Sequence, residues 1–381
     1  MVISPSRCIL RATARIVPRY RDFFGRNRKK MSTLRQDPLT GRWVIMARSR
    51  QERPNEFRLM QRDPEPGAHC PYCPGQENHT TPEILALGRE VGAPANGPGW
   101  NLRVFPKKYP AFDPERTSTA EPVDGLLAAR PGIGSHEVIV YSPRHADSLA
   151  SVSVDHLLDL LQVLRGRVQE ISRRPGHRYV SPFCNHGPEA GATLAHPHLQ
   201  IIGTPELPPL VVDKALRFAE YRREEGGCLL CDLLERERAE EERLIRHQGQ
   251  WTALAPWASR FPWEVLLVPT NHQSGLGAVD DSCLEDLAEV LAFSMRALAE
   301  VHGDPSLNLV IHNAPLPAVG PAGFGEKRLD EQDYDPDLDF HWHLEILPRL
   351  SRPAGFEVGT GFTINSVIPE SAARRLRGEG S

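Results

Sequence analysis

The chain has 381 residues, 40% of them apolar and 25% charged, and carries a formal net charge of −4. That length accommodates two domains of ordinary size, and the composition is that of a globular protein; no apolar run approaches the ~18 residues needed to span a bilayer. Residues 1–30 hold nine Lys or Arg against one Asp, so everything after them is more acidic than the whole, which excludes nonspecific nucleic-acid binding.

The first thirty residues form a basic extension that ends just before Met31. A start codon placed too early is the preferred reading; an Arg-rich targeting presequence is the alternative. The seven cysteines, Cys8, Cys70, Cys73, Cys184, Cys228, Cys231 and Cys283, are odd in number and follow no secretory signal. A reduced, cytoplasmic protein with thiolates free to hold metal is therefore expected, and a disulfide framework is not.

Further along the chain, Cys70-Pro-Tyr-Cys73 precedes a Pro/Gly-rich stretch and the strand-like run His136–Tyr141, which ends in Ser142-Pro-Arg-His145. A capped helix pattern follows, with Ser153 ahead of Leu157, Leu160, Leu161, Leu164 and Val168. Then comes Asn185-His-Gly-Pro-Glu-Ala-Gly191-Ala-Thr193-Leu-Ala-His196-Pro-His198-Leu-Gln200.

The second half repeats that order. Cys228-Leu-Leu-Cys231 leads to the strand-like Trp263–Val268 and to Pro269-Thr-Asn-His272; a helix pattern from about Asp280 to His302 precedes Leu307–His312 and His341-Trp-His343. Four ordered matches predict a duplicated α+β domain: two pseudo-equivalent units of antiparallel sheet with flanking helices, over 31–205 and 206–381. Residues from about Pro205 to Glu225 read as the connection.

Zinc takes four ligands in a tetrahedron, and each Cys-x-x-Cys turn supplies two. The repeat selects His145 and His196 for the first half, and His272 and His341 for the second. His69, His79, His136 and His186 stay open as rivals at the first site, and redox-active Cys pairs are the other reading of the cysteines.

In an extended segment His196 and His198 project to one face, so one can hold metal while the other stays free as a nucleophile toward phosphorus. Pro197 suits a rigid, exposed segment rather than a central strand. Gln200 continues the face and can donate to a phosphoryl oxygen. The Gly187–Thr193 stretch, Gly191 within it, offers backbone amides and a hydroxyl to phosphate. A metal site that uses both rings is the competing reading of His-Pro-His. His341-Trp-His343 lacks the Pro and the Gln and reads as structural, or as a wall of the site.

Taken together, His196-Pro-His198-Leu-Gln200 after Asn185-His-Gly-Pro-Glu-Ala-Gly resembles the signature of galactose-1-phosphate uridylyltransferases, within the histidine triad superfamily. The resemblance runs from Asp37-Pro-Leu-Thr-Gly-Arg-Trp to Gly355-Phe-Glu357-Val-Gly-Thr-Gly-Phe-Thr-Ile-Asn365. It implies a ping-pong exchange through nucleotidyl-His198 between a nucleotide sugar and a sugar phosphate, with UDP-glucose and galactose 1-phosphate expected first. It also implies zinc on Cys70, Cys73, His145 and His196, phosphate contacts from Arg50, Arg53 and Thr193, roles for Asn185 and Gln200, a sugar-facing segment with Glu357 and Asn365, and a homodimer.

Three departures accompany it. Lys107 stands where the family commonly has Asn. Lys214 lies about where some members place a metal-binding Glu. Cys228, Cys231, His272 and His341 resemble a branch with a second zinc, which includes plant phosphorylases of ADP-glucose, so adenylyl transfer is the alternative. Gln200, where nucleotide hydrolases of the superfamily carry another His, speaks against a hydrolase, and a noncatalytic zinc-stabilised binding module is the remaining reading.

Overall fold

A computed structural model describes residues 32–52, 70–113, 131–317 and 334–379. Arg53, His69 and the basic extension lie outside the described residues.

Among these, ten strands make one antiparallel sheet. The first half supplies β3 (Leu85–Leu87), β4 (Leu102–Pro106), β5 (Ser135–Val140), β6 (Tyr179–His186) and β7 (His198–Thr204). The second supplies β8 (Leu244–Gln248), β9 (Trp251–Leu254), β10 (Val265–Pro269), β11 (Leu307–His312) and β12 (His343–Pro348). Their order is β3-β4-β5-β7-β6-β11-β12-β10-β9-β8. Read from either edge the sequence of roles is the same, so the duplication is a pseudo-twofold across the β6–β11 seam, where Asn185 pairs with Asn308 and Cys184 with Leu309.

Alternation along the strands sends side chains to two faces. Ile139, Leu199, Ile201, Val265, Leu267, Leu344 and Ile346 face the main core. Over it lie α1 (Val154–Ser172) and α4 (Asp281–His302), which pack against each other. Each helix starts where its sequence supplies an acceptor for a free N–H: Ser153 Oγ takes His156 N–H at 3.2 Å, and Asp280 Oδ1 takes Cys283 N–H at 2.8 Å. The opposite face carries Val138 and Val140 against Tyr72 and Phe105 in the first half. In the second half it carries Leu254, Leu266 and Val268 against α2 (Pro209–Glu225) and α3 (Leu229–Glu240).

The segment Pro205–Glu225, expected as a connection, is mostly this α2. Val211, Val212, Ala215 and Phe218 are buried at helical spacing, Pro209 sits in the first turn where its missing N–H is harmless, and Gly226 ends the helix at φ +77°. Lys214, inside the apolar stripe and itself fully buried, is what hides the pattern. Pro197 corrects a second expectation. The His-Pro-His segment is buried and leads into an interior strand, because Pro197 stands one residue ahead of β7, where no ladder N–H is required.

The small sheet of β1 (Thr33–Gln36), β2 (Trp43–Met46) and β13 (Thr363–Asn365) has no counterpart in the sequence reading. It is tied to the second half through Arg35, which lies over the Trp257 ring and pairs with Glu370 at 3.0 Å.

Candidate active site and metal centres

Cys70, Cys73, His145 and His196 converge, with one ligand atom from each, all within 4.8 Å of one another. Cys73 Sγ stands 3.5 Å from Nδ1 of both His145 and His196. A tetrahedral ion with bonds of about 2.3 Å to sulfur and about 2.1 Å to nitrogen has S···N edges of roughly 3.6 Å, so this donor set fits zinc. The tautomer fits as well: His196 Nε2–H donates to the Ser142 carbonyl at 2.8 Å, which leaves the Nδ1 lone pair toward the thiols.

Cys228, Cys231, His272 and His341 form the second such group. His341 Nδ1 is 3.5 Å from each sulfur, His272 Nδ1 is 3.9 Å from Cys231, and His341 Nε2–H donates to Pro269 at 3.0 Å. The rivals lie elsewhere. His79 is exposed, His136 reaches Gln200, and His186 Nε2 pairs with Asp304 at 2.7 Å.

His198 opens β7 beside the first group. Its Nδ1–H donates to the His196 carbonyl at 2.8 Å, and Nε2 makes no hydrogen bond among the described residues. Burial, above all, holds the imidazole down at about 4, so it is neutral at pH 7 with its lone pair on Nε2. Tyr72 packs edge-on against this ring at 5.2 Å. A fixed, neutral, desolvated imidazole is what nucleophilic attack on phosphorus requires.

Gln200, two residues on and on the same face, accepts at Oε1 from Lys107 Nζ at 3.2 Å and from His136 Nε2 at 3.0 Å. Asn185 accepts from Asn308 Nδ2 at 2.8 Å, and Asn308 also reaches the Ala190 carbonyl at 2.9 Å, which ties the glycine-containing loop to the seam. Gly191 adopts the left-handed φ of +80°, and it and Thr193 are exposed. Arg352 bonds Glu189 at 2.7 and 2.6 Å, which brings the segment before α6 (Gly355–Thr360) beside that loop. Glu357 accepts Ala354 N–H at 2.7 Å, and Asn365 spends its amide on the Ser259 and Phe261 carbonyls. Arg50 is exposed in the 3-10 turn Arg48–Glu52.

The second His-x-His is wired differently. His343 Nδ1–H repeats the bond to its own chain, donating to His341 at 2.9 Å, but Nε2 accepts from Lys214 Nζ at 2.8 Å. Lys214 also pairs with Glu345 at 2.8 Å, Arg260 with the same carboxylate at 2.6 Å, and His312 stacks on His343 at 4.8 Å between ring centres. Sequence reasoning missed what surrounds these groups: Tyr72 comes from inside the Cys70–Cys73 turn, Arg260 from the loop between β9 and β10, and His136 reaches Gln200 through the β5–β7 register, which no local motif carries.

Residues 22–208 match the family model described as galactose-1-phosphate uridyl transferase, N-terminal domain, and residues 214–377 the corresponding C-terminal domain. An ADP-glucose phosphorylase of Arabidopsis thaliana is 32% identical over 90% of this chain and 92% of its own length. A galactose-1-phosphate uridylyltransferase of Thermotoga maritima is 28% identical over 91% and 98%. The solved structure of an Arabidopsis ADP-glucose phosphorylase with bound ADP-glucose superposes with a TM-score of 0.74 at 30% identity, covering 92% of this chain and all of that one.

Proposed function

The chain is a nucleotidyl transferase of the galactose-1-phosphate uridylyltransferase family, and from that premise we propose that it works through a covalent nucleotidyl group on His198. The observation that carries this is the ring itself: Nδ1–H tied to the His196 carbonyl, Nε2 free, the imidazole neutral. In the first step the Nε2 lone pair attacks the α-phosphorus of a nucleoside diphosphate sugar. The bond to the bridging oxygen breaks, and the sugar 1-phosphate leaves with its electron pair. In the second, a phosphate oxygen of the acceptor attacks the same phosphorus, the P–N bond breaks, and Nε2 recovers its lone pair.

The residues Cys70, Cys73, His145 and His196 would hold a zinc ion that fixes the backbone ahead of His198; Cys228, Cys231, His272 and His341 would hold another in the second half. Gly191, Thr193, Asn185, Arg50 and Arg53 are proposed as contacts of the phosphates, with Glu357 toward the sugar.

For the substrate we place ADP-glucose with inorganic phosphate as acceptor first, supported by the 32% identity to the plant phosphorylase and by the second Cys/His group. UDP-glucose with galactose 1-phosphate, and so a place in galactose metabolism, is the second reading, supported by the Thermotoga relative. Intact-protein mass after mixing with each nucleotide sugar alone decides: an adenylyl adduct supports the first, a uridylyl adduct the second, and no adduct from either overturns the covalent mechanism.

A further inference from the structure

Three elements meet at one atom, the Oε1 of Gln200. Lys107 follows β4, His136 lies on β5 and Gln200 on β7, where Val138 pairs with Gln200 and Val140 with His198. An amide side chain is ordinarily ambiguous, since its oxygen and nitrogen have the same shape. Here the neighbours remove the ambiguity. Lysine can only donate, so the atom 3.2 Å from Lys107 Nζ is oxygen. His136 agrees independently: its Nδ1 accepts the Ala111 N–H at 3.2 Å, so its proton sits on Nε2, and Nε2 donates to the same Oε1 at 3.0 Å. The Lys107 backbone N–H in turn donates to the His136 carbonyl at 2.8 Å, which locks the two donors together.

With Oε1 held by two donors, the Gln200 amide nitrogen is turned away from them, and among the described residues it has no acceptor. The same strand carries His198 two residues earlier on the same face. We infer that Lys107 and His136 are positioning residues: they clamp the Gln200 oxygen so that its N–H2 is aimed, before substrate binds, at a non-bridging oxygen of the phosphoryl group that His198 attacks. The alternative is that the three side chains only satisfy one another. That leaves unexplained why a half-buried ammonium, which burial pushes below its usual range, is aimed at a neutral amide oxygen with no carboxylate in reach among the described residues. Orientation ahead of reaction explains it, because a donor already aimed needs no reorganisation as charge builds on the phosphoryl oxygens.

The inference rests on the covalent reading of His198, and the test separates the two. Single-turnover adduct formation is followed by rapid quench and intact mass for the wild type, Lys107→Met, Lys107→Arg, Gln200→Ala and the Lys107→Met/Gln200→Ala double variant. Lys107→Met should slow the step about 10- to 100-fold, below the roughly 10²–10³-fold that loss of the donor itself gives, with little change in nucleotide-sugar affinity. Lys107→Arg, which keeps a donor, should recover most of the rate. In the Gln200→Ala background Lys107→Met should have no further effect, because its action passes through the amide. Equal slowing in both backgrounds, or none in either, overturns the clamp while leaving the adduct intact. Neutron diffraction of the wild-type protein reads the Gln200 deuterons directly, so an amide found flipped overturns it even if no adduct forms at all.

Discussion

β7 and β12 are the same strand twice, yet they end in opposite chemistry. Each opens with a His whose Nδ1–H donates to the carbonyl two residues back, at 2.8 Å for His198 and 2.9 Å for His343. Each follows a His whose Nε2–H caps the carbonyl of Ser142 or Pro269, with Nδ1 toward a Cys pair. Each continues to a polar residue, Gln200 or Glu345, that accepts from a lysine. The difference is what covers the face. In the second half α2 lies over it and Lys214 plugs His343 Nε2, whereas over His198 stands the Cys70–Cys73 turn with Tyr72, and Nε2 stays free. Duplication supplied two imidazoles with the same tautomer; the cover of α2, together with its buried ammonium, makes one of them structural.

The largest effect should come from the nucleophile. His198→Ala is expected to lower adduct formation by on the order of 10⁴-fold or more without changing metal content. His343→Ala should leave labelling in place. Loss of metal together with activity in His198→Ala would mean that the ring is a ligand and that the two halves differ in another way. Next come the thiols. Cys70→Ser and Cys228→Ser should each remove one metal ion per chain by elemental analysis and lower stability by several kcal/mol. Only Cys70→Ser should also slow transfer strongly, since His196 sits two residues from His198. An unchanged metal count in Cys228→Ser would refute the second centre.

That both Cys pairs, their His partners and the His-x-His segments lie in one order is visible in the sequence because each is a local spacing, and spacing is what turns and strands preserve. Ser153 and Asp280 announced their helices for the same reason. The register that puts His136 and Lys107 on Gln200, and the burial of Lys214, were not legible: both are set by which strands lie side by side, and a lysine in an apolar stripe reads as the end of a helix face. Asn185 gains its setting in the same way. One step beyond the Cys184–Leu199 pair, it stands opposite His198 where His312 stands opposite His343, a correspondence that only the strand order shows.

Lys214→Met sharpens the comparison at smaller cost. Breaking a buried ion pair by removing one partner usually destabilises by about 3–5 kcal/mol, but Arg260 remains on Glu345 at 2.6 Å, so a loss of about 2 kcal/mol by urea unfolding is expected. Freed of its ammonium, His343 is still enclosed by α2, Phe340 and His312, so no adduct should form on it. A second labelled histidine in this variant would show that the plug alone, and not the cover, silences the second half.

The smallest effect is a flat line. His198 titrates near 4 in the fold because burial opposes its charged form, with Lys107 and His186 adding to the depression against the helping bond to the His196 carbonyl; its ordinary value is 6.5. Unfolded chains therefore take up a proton on this ring as pH falls through 6.5 while the folded protein does not. The stability that this neutral ring contributes is whole above 6.5 and is lost progressively toward 4. For the reaction the same inequality means that the nucleophile stays competent well below neutral pH, and a cation on His196 would push it further in that direction. Single-turnover adduct rates should thus be level from pH 8 to about 5 and fall only nearer 4. A midpoint at 6.5 would place the ring in water, and the two halves would then differ in the burial of the imidazole as well as in Lys214.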